Sequence, residues 1–229
     1  MADTTTDPKT IVLCVPGASF SREWVQCLSN AISDLSREGH TVQLSFAYDA
    51  NVFYARARTL LCATTRGVDQ KPFDGKLEYD YIMWIDSDVL FSAEHVRMLM
   101  KHDVDIVSGA YLMANNTQYP LVEDMDDETF LKEGHYAFID RDQLNEKPQD
   151  QLFTVQYAGM GFMLMKSGVL ERLKYPYFSP RLLDFSTGGK VVEMASEDVS
   201  LCMNLRDAGF EIYVDPAVRT PHLKLVPLI

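Results

Sequence analysis

Short apolar runs alternate with stretches of helical spacing along the first half of the chain. Ile11 to Val15 is continuously apolar and is broken by Pro16-Gly17, the mark of a buried strand that ends in a loop. From Ser21 onward Trp24, Val25, Leu28, Ile32 and Leu35 recur at helical spacing, and Gly39 supplies a stop. Thr41 to Ala47 alternates, so Val42, Leu44 and Phe46 are expected to point inward, and Asn51 to Thr65 reads as a second helix. The polar stretch Arg66 to Glu78 breaks the period ahead of the strongest strand, Tyr79 to Ile85, which runs straight into Asp86-Ser87-Asp88. Ser92 is placed as the cap of a helix through Met100, with Glu94 in its first turn, and Val104 to Ser108 is the next buried strand.

The second half is less regular. Asn115 to Gln151 carries the acidic run Glu123 to Glu128 without a clear period and is expected to be an excursion over the surface. Phe153 to Tyr157 resumes a strand, Gly159-Met160-Gly161 turns, Phe162 to Met165 is another apolar run, and Ser167 to Leu173 reads as a short helix. After a second excursion, Ser196 is expected to cap a helix whose Val199, Cys202, Leu205 and Ala208 share a face. Gly209 ends it, and Phe210, Ile212 and Val214 alternate in a last strand. Strands alternating with helices, without repeats or a linker, predict one α/β domain over residues 1–229.

Composition narrows the class. With 47% apolar and 24% charged residues in 229, the chain is neither disordered nor fibrous and can bury a core. A net charge of -12, without a basic cluster, disfavours nucleic acid and anionic membranes as partners. The cysteines Cys14, Cys27, Cys62 and Cys202 form no CxxC pair, so neither a zinc knuckle nor a redox motif is indicated and a reducing compartment fits. No basic n-region precedes an apolar run and no stretch of about 18 apolar residues occurs, so a soluble, cytoplasmic chain without a signal peptide or membrane span is expected. Its ending, soon after His222, looks abrupt, as in a piece of a larger enzyme.

The candidate chemistry is carboxylate chemistry. Chance alone gives about two DxD strings for this Asp content, and the chain has four, but only Asp86/Asp88 directly follow a long apolar strand. At the carboxyl end of a strand in an open α/β sheet, two carboxylates spaced i, i+2 can face one Mg²⁺ or Mn²⁺, or can simply cap the following loop. Glu197-Asp198 stands at a helix N-terminus, where the helix dipole keeps a base ionised, or where acidic residues serve as ordinary first-turn residues. Arg56 and Arg58 are two cations on an otherwise apolar helix, either snorkelling to the surface or facing a phosphate. His222 after the last strand could complete a metal site, favouring Mn²⁺ over Mg²⁺. The absence of GxxxxGK[ST], GxGxxG, GxSxG and HExxH removes the commonest nucleoside-triphosphate, dinucleotide, serine-hydrolase and zincin readings.

Taken in order, these features resemble the GT-A-fold glycosyltransferases of the family 2 type, over about Ile11 to His222. The most specific pieces are Trp84-Ile-Asp-Ser-Asp and Ser196-Glu-Asp-Val-Ser-Leu-Cys-Met-Asn-Leu-Arg-Asp-Ala-Gly-Phe. Asn51 to Ala63 is similar to the family's ARN-type helix, with Arg58 in the arginine position and Thr59 in place of the usual Asn. The resemblance implies a single Rossmann-like domain with a mixed, mostly parallel sheet flanked by helices. Residues of about 11–110 would bind the nucleotide sugar, and those of about 111–229 the acceptor. It places Pro16, Gly17, Tyr48 and Asp49 around the base and Arg56, Arg58 and Ser87 with the donor. Asp86, Asp88 and His222 would hold Mn²⁺ or Mg²⁺, and Gly159 and Gly161 would line the sugar pocket. The acidic middle and Tyr175 to Lys190 would shape the acceptor site. The implied reaction moves a sugar from a nucleoside diphosphate, UDP being the commoner, to a hydroxyl of a glycan or other acceptor. Asp198 is the base of an inverting displacement, with Glu197 as the alternative base or an acceptor-holding group; a retaining reaction stays open. A haloacid-dehalogenase-like phosphatase also uses DxD after a strand, but has Thr or Val where Leu90 stands here and one element before the motif rather than several. A sugar nucleotidyltransferase would show a GxGxR loop, which Val15-Pro-Gly-Ala-Ser does not match, and a non-catalytic carbohydrate-binding scaffold on the same fold is the remaining alternative.

Overall fold

The computed structural model describes residues 7–60, 71–185 and 192–224; Cys62, residues 61–65 and the tail beyond Lys224 lie outside them. The first apolar run is strand β1 (Thr10–Pro16), followed by helix α1 (Arg22–Arg37), whose cap Ser21 accepts the Trp24 amide. Strand β2 (Thr41–Ala47) and helix α2 (Val52–Thr59) come next, with Leu60 as the last residue described after α2; the remainder of the expected helix lies outside the described residues. Strand β3 (Tyr81–Ile85), helix α3 (Ala93–Lys101) and strand β4 (Ile106–Ala110) complete the first half as expected, with Ser92 capping α3.

The acidic excursion is partly structured: β5 (Leu121–Val122), α4 (Asp127–Glu133) and α5 (Arg141–Glu146), the last opened by a capping box at Asp140. The expected strand from Phe153 splits into β6 (Phe153–Val155) and β7 (Tyr157–Ala158), which join different sheets. Strand β8 (Phe162–Lys166) follows, and the expected helix at Ser167 to Leu173 is only a 3-10 turn over Leu170–Arg172. A hairpin of β9 (Leu182–Asp184) and β10 (Val192–Met194) precedes α6 (Glu197–Asp207) and β11 (Ile212–Arg219).

The central sheet has the order β2-β1-β3-β8-β4-β11-β6. Strands β2, β1 and β3 pair in parallel, as do β4 and β11, while β8 runs antiparallel between β3 and β4 and β6 runs antiparallel along the edge. Helices α1 and α3 cover one face through Trp24, Leu28, Leu35, Val96 and Leu99 against Ile11, Leu13, Met83 and Ile85. Helices α2 and α6 cover the other through Ala57, Leu60, Leu201 and Leu205 against Val12, Cys14, Ile82 and Trp84. Full burial of side chains such as Trp84 and Ile85 contributes roughly 1.5–3 kcal/mol each, which is why the apolar runs dominate the architecture. Strand β2 departs from expectation because it is an edge: Leu44 and Phe46 are more than 40% exposed and Ser45 is buried, donating to the Thr59 carbonyl under α2.

Candidate functional site

The carboxyl ends of the parallel strands open on one edge of the sheet, and β8 begins there because it runs the other way. That geometry brings Gly17, Asp49, Asp86 to Asp88 and Gly159 to Gly161 to a common edge, where a topological reversal leaves a crevice. A cleft of about 270 Å³ lies there, lined among others by Pro16, Gly17, Tyr48, Asp49, Arg56 and Asp88. Backbone bonds fix its floor: the Gly17 amide donates to Ala47 O at 2.9 Å, the Asp86 amide to Gly161 O at 3.0 Å, and Trp24 Nε1 to Asp86 O at 3.1 Å.

The glycines are required by the protein's own packing. A Cβ on Gly17 would stand 2.6 Å from Ser87 Cβ, and one on Gly161 would stand 2.6 Å from Tyr111 Cζ and 2.9 Å from Asp86 Oδ2. At Gly159 a Cβ would collide with Tyr111 Oη and crowd Pro120. The close approach that small residues permit here is therefore used first by Tyr111, whose hydroxyl accepts the Gly161 amide at 2.9 Å.

Arg56 is the centre of the charge network. It is buried, not snorkelling, and its fork donates to Asp86 Oδ1 and Glu197 Oε1 at 3.2 Å each. Burial opposes its charge, but Asp86, Glu197 and Asp198 outweigh that and raise its pKa above the ordinary arginine value. Glu197 is held above its ordinary range by burial and by Asp198, against the pull of Arg56. Arg56 Nη1 is buried and has no hydrogen-bond partner among the described residues. Arg58, which the motif likeness put in the arginine position, is half exposed and pairs with Asp49 at 2.8 Å at the cleft mouth.

At the start of α6, Ser196 does not cap through its side chain. Its hydroxyl donates instead to Asp198 Oδ1, which also accepts the Val199 amide, while the Tyr157 hydroxyl donates to Asp198 Oδ2 at 2.8 Å. Burial first, then the Asp198 charge, push the Tyr157 pKa far up, so the phenol keeps its proton and remains a donor. Tyr111 and Tyr157 escaped the sequence reading because a tyrosine beside an apolar run reads as core.

His222 lies beside Asp88. An antiparallel bridge between Val89 and His222, with Leu90 N to Pro221 O and Leu223 N to Asp88 O at 2.8 Å each, lays residues 221–224 along the motif. His222 Nδ1 donates to the Leu112 carbonyl at 2.6 Å, and its buried Nε2 faces Asp88 Oδ1 at 3.1 Å. Burial works to raise the Asp88 pKa, but His222 and Lys224 hold it down at about 2. Cis ligands of an octahedral ion at about 2.1 Å stand about 3 Å apart, so the 3.1 Å between Asp88 Oδ1 and His222 Nε2 suits two ligands of one divalent cation as well as it suits a direct pair. Two donors make half a site, and among the described residues no three His, Cys, Asp or Glu side chains gather to hold an ion. Asp86 is turned to Arg56 instead.

No family model and no curated protein sequence matches the chain. Among solved structures it is similar to A197 from STIV, at a TM-score of 0.55 and 16% identity over 94% of this chain and 86% of that one. It is also similar to GalNAc-T7, solved with UDP, GalNAc and Mn²⁺, at a TM-score of 0.53 and 7% identity, over 95% of this chain but 44% of that one. The fold is GT-A-like. At these identities the likeness is one of architecture, the mixed and mostly parallel sheet with flanking helices that the family resemblance implied.

Proposed function

We propose that the chain is a metal-dependent glycosyltransferase that moves a sugar from a nucleoside diphosphate, UDP first, to a hydroxyl of a glycan or other acceptor. The observation that carries this reading is the Arg56 fork, which ties Asp86 of the strand-end motif, in the wall of the cleft, to Glu197 of the helix-start motif. In this reading residues of about 11–110 bind the donor and the rest of one domain binds the acceptor. Pro16, Gly17, Asp49 and Arg58 surround the base, Ser87 packs under the donor, and Gly159 and Gly161 shape the sugar pocket through Tyr111. Asp88 and His222, with Asp86 nearby, hold Mn²⁺ or Mg²⁺, which when bound supplies positive charge to the departing diphosphate.

Lone-pair counting separates the two acids. Asp198 Oδ1 already accepts two hydrogen bonds and Oδ2 accepts one, so Oδ2 keeps a lone pair for the acceptor proton. Glu197 is engaged by Arg56, leaving Asp198 as base. In a single inverting displacement the acceptor oxygen bonds to the anomeric carbon, the carbon–oxygen bond to phosphate breaks, and the acceptor proton passes to Asp198 Oδ2. Arg56 faces three carboxylates, so its Nη1, unpartnered among the described residues, suits a neutral sugar hydroxyl better than a phosphate. A dehalogenase-like phosphatase is not favoured, because its nucleophile would be Asp86, here bound to Arg56 at the end of a third strand. Among the described residues no helix is long and apolar enough to cross a membrane, and we place the enzyme in the cytoplasm.

Calorimetric titration of UDP and then GDP, with and without Mn²⁺, tests the donor site; metal-dependent binding of one nucleotide is expected, and binding of neither refutes it. Asp198→Asn should then retain donor binding and lose transfer, and a near-normal rate would exclude the base role.

A further inference from the structure

Asp88 is also paired with a lysine. Lys224 Nζ lies 2.7 Å from Asp88 Oδ2, on the oxygen that His222 does not face. The placement is built into the backbone, since the Leu223 amide donates to Asp88 O and the Val89 to His222 bridge holds the preceding residue. Neighbouring cations do not share the duty: Arg56 is spent on Asp86 and Glu197, and Arg58 on Asp49.

We propose that Lys224 is a positioning residue that makes the divalent cation and the nucleotide diphosphate enter together. The inference rests on the donor-site reading above. Asp88 offers a bare cation one negative charge and His222 a neutral nitrogen; the Lys224 ammonium cancels that charge and repels a second cation at short range. A nucleoside diphosphate reverses the balance, because its phosphates are attracted both by the metal and by Lys224. Free cation is thus held weakly, and the metal arrives with, or after, the diphosphate. Holding Oδ2 on lysine also leaves Oδ1 alone to face the metal beside His222 Nε2. Lysine serves here as a compact point charge that can turn from carboxylate to phosphate without losing its backbone anchor.

The test compares wild type, Lys224→Gln and Lys224→Arg by calorimetric titration of MnCl₂ alone and of UDP, and if needed GDP, in saturating Mn²⁺. Both partners of the Lys224 pair are partly exposed, so the effects are moderated by solvent. Lys224→Gln should bind Mn²⁺ alone about threefold to tenfold more tightly and the nucleotide in Mn²⁺ about threefold to tenfold more weakly. Lys224→Arg should stay near wild type in both. Shifts in the same direction, or no shift, overturn the role of Lys224 while leaving the donor site standing. No nucleotide binding by wild type overturns the donor-site reading and this inference with it, a result the Mn²⁺ titration alone would not produce. A Lys224→Gln protein that melts with wild type secures the comparison.

Discussion

Replacing Arg56 by methionine keeps the length and apolar stem of the side chain and removes its charge. The guanidinium is 5% exposed and its partners Asp86 and Glu197 are 27% and 12% exposed, so two largely buried carboxylates would lose their counter-charge together. Breaking a buried ion pair from one side costs about 3–5 kcal/mol. For a chain of this size, 1 kcal/mol corresponds to about 2–4 °C, so a fall in Tm of about 6–20 °C is expected at pH 7. The sign with pH is also set. Glu197 already titrates above its ordinary value of 4.5, and without Arg56 it rises further. A carboxyl whose folded pKa is raised costs stability as pH climbs through that value and costs none below the unfolded one. The deficit of Arg56→Met should therefore shrink between pH 7 and about 5. Adding Glu197→Gln at pH 7 should restore part of the loss, because it removes one stranded charge. Thermal melts of the three proteins at both pH values are the assay. A single variant within about 1 kcal/mol of wild type, or a deficit that does not change with pH, would refute the placing of Arg56 between two ionised partners.

Other outcomes follow from the same geometry. Gly161→Ala inserts a methyl 2.6 Å from Tyr111 Cζ, so its Tm should fall by the equivalent of about 1–3 kcal/mol, measured by circular dichroism. Tyr157→Phe removes a charge-assisted hydrogen bond from Asp198, worth about 1.5–3 kcal/mol, and should lower kcat for transfer with little change in donor KM. Asp88, held at about 2 against an ordinary 3.8, contributes stability above the ordinary carboxylate range that is lost as pH falls through 4 toward 2. An acid-unfolding curve of Asp88→Asn should be flatter over that interval.

The first half was legible because its signals are local. Continuous apolar runs, the helix cap at Ser92, and a strand ending in two aspartates each depend on neighbours in sequence. What could not be read depends on which strands lie side by side. The run Phe162 to Met165 is equally apolar whether its strand is parallel or antiparallel, and only pairing with β3 and β4 shows that it runs backward. Alternation in β2 separated two faces correctly but could not show that the strand is an edge, where Leu44 and Phe46 stay wet and Ser45 is covered. At the site, Glu197 and Asp198 were marked by a helix start. The ties that divide their roles, Arg56 to one and Tyr157 to the other, join residues far apart in the chain. Ser196 was named as a cap on residue type alone, and its hydroxyl is drawn instead to the adjacent carboxylate.

The backward strand in the middle of the sheet bears on how the molecule is made. When the ribosome has delivered β1 through β4, the facing edges of β3 and β4 have no partner, because the strand that belongs between them begins at Phe162. Each edge is a row of unpaired amides and carbonyls flanked by fully buried side chains, the kind of surface that captures stray strands. The nascent first half therefore carries an open slot until more than fifty further residues have emerged. A chain interrupted anywhere in that interval is a candidate for chaperone capture or for rescue by a separately supplied fragment that contains β8.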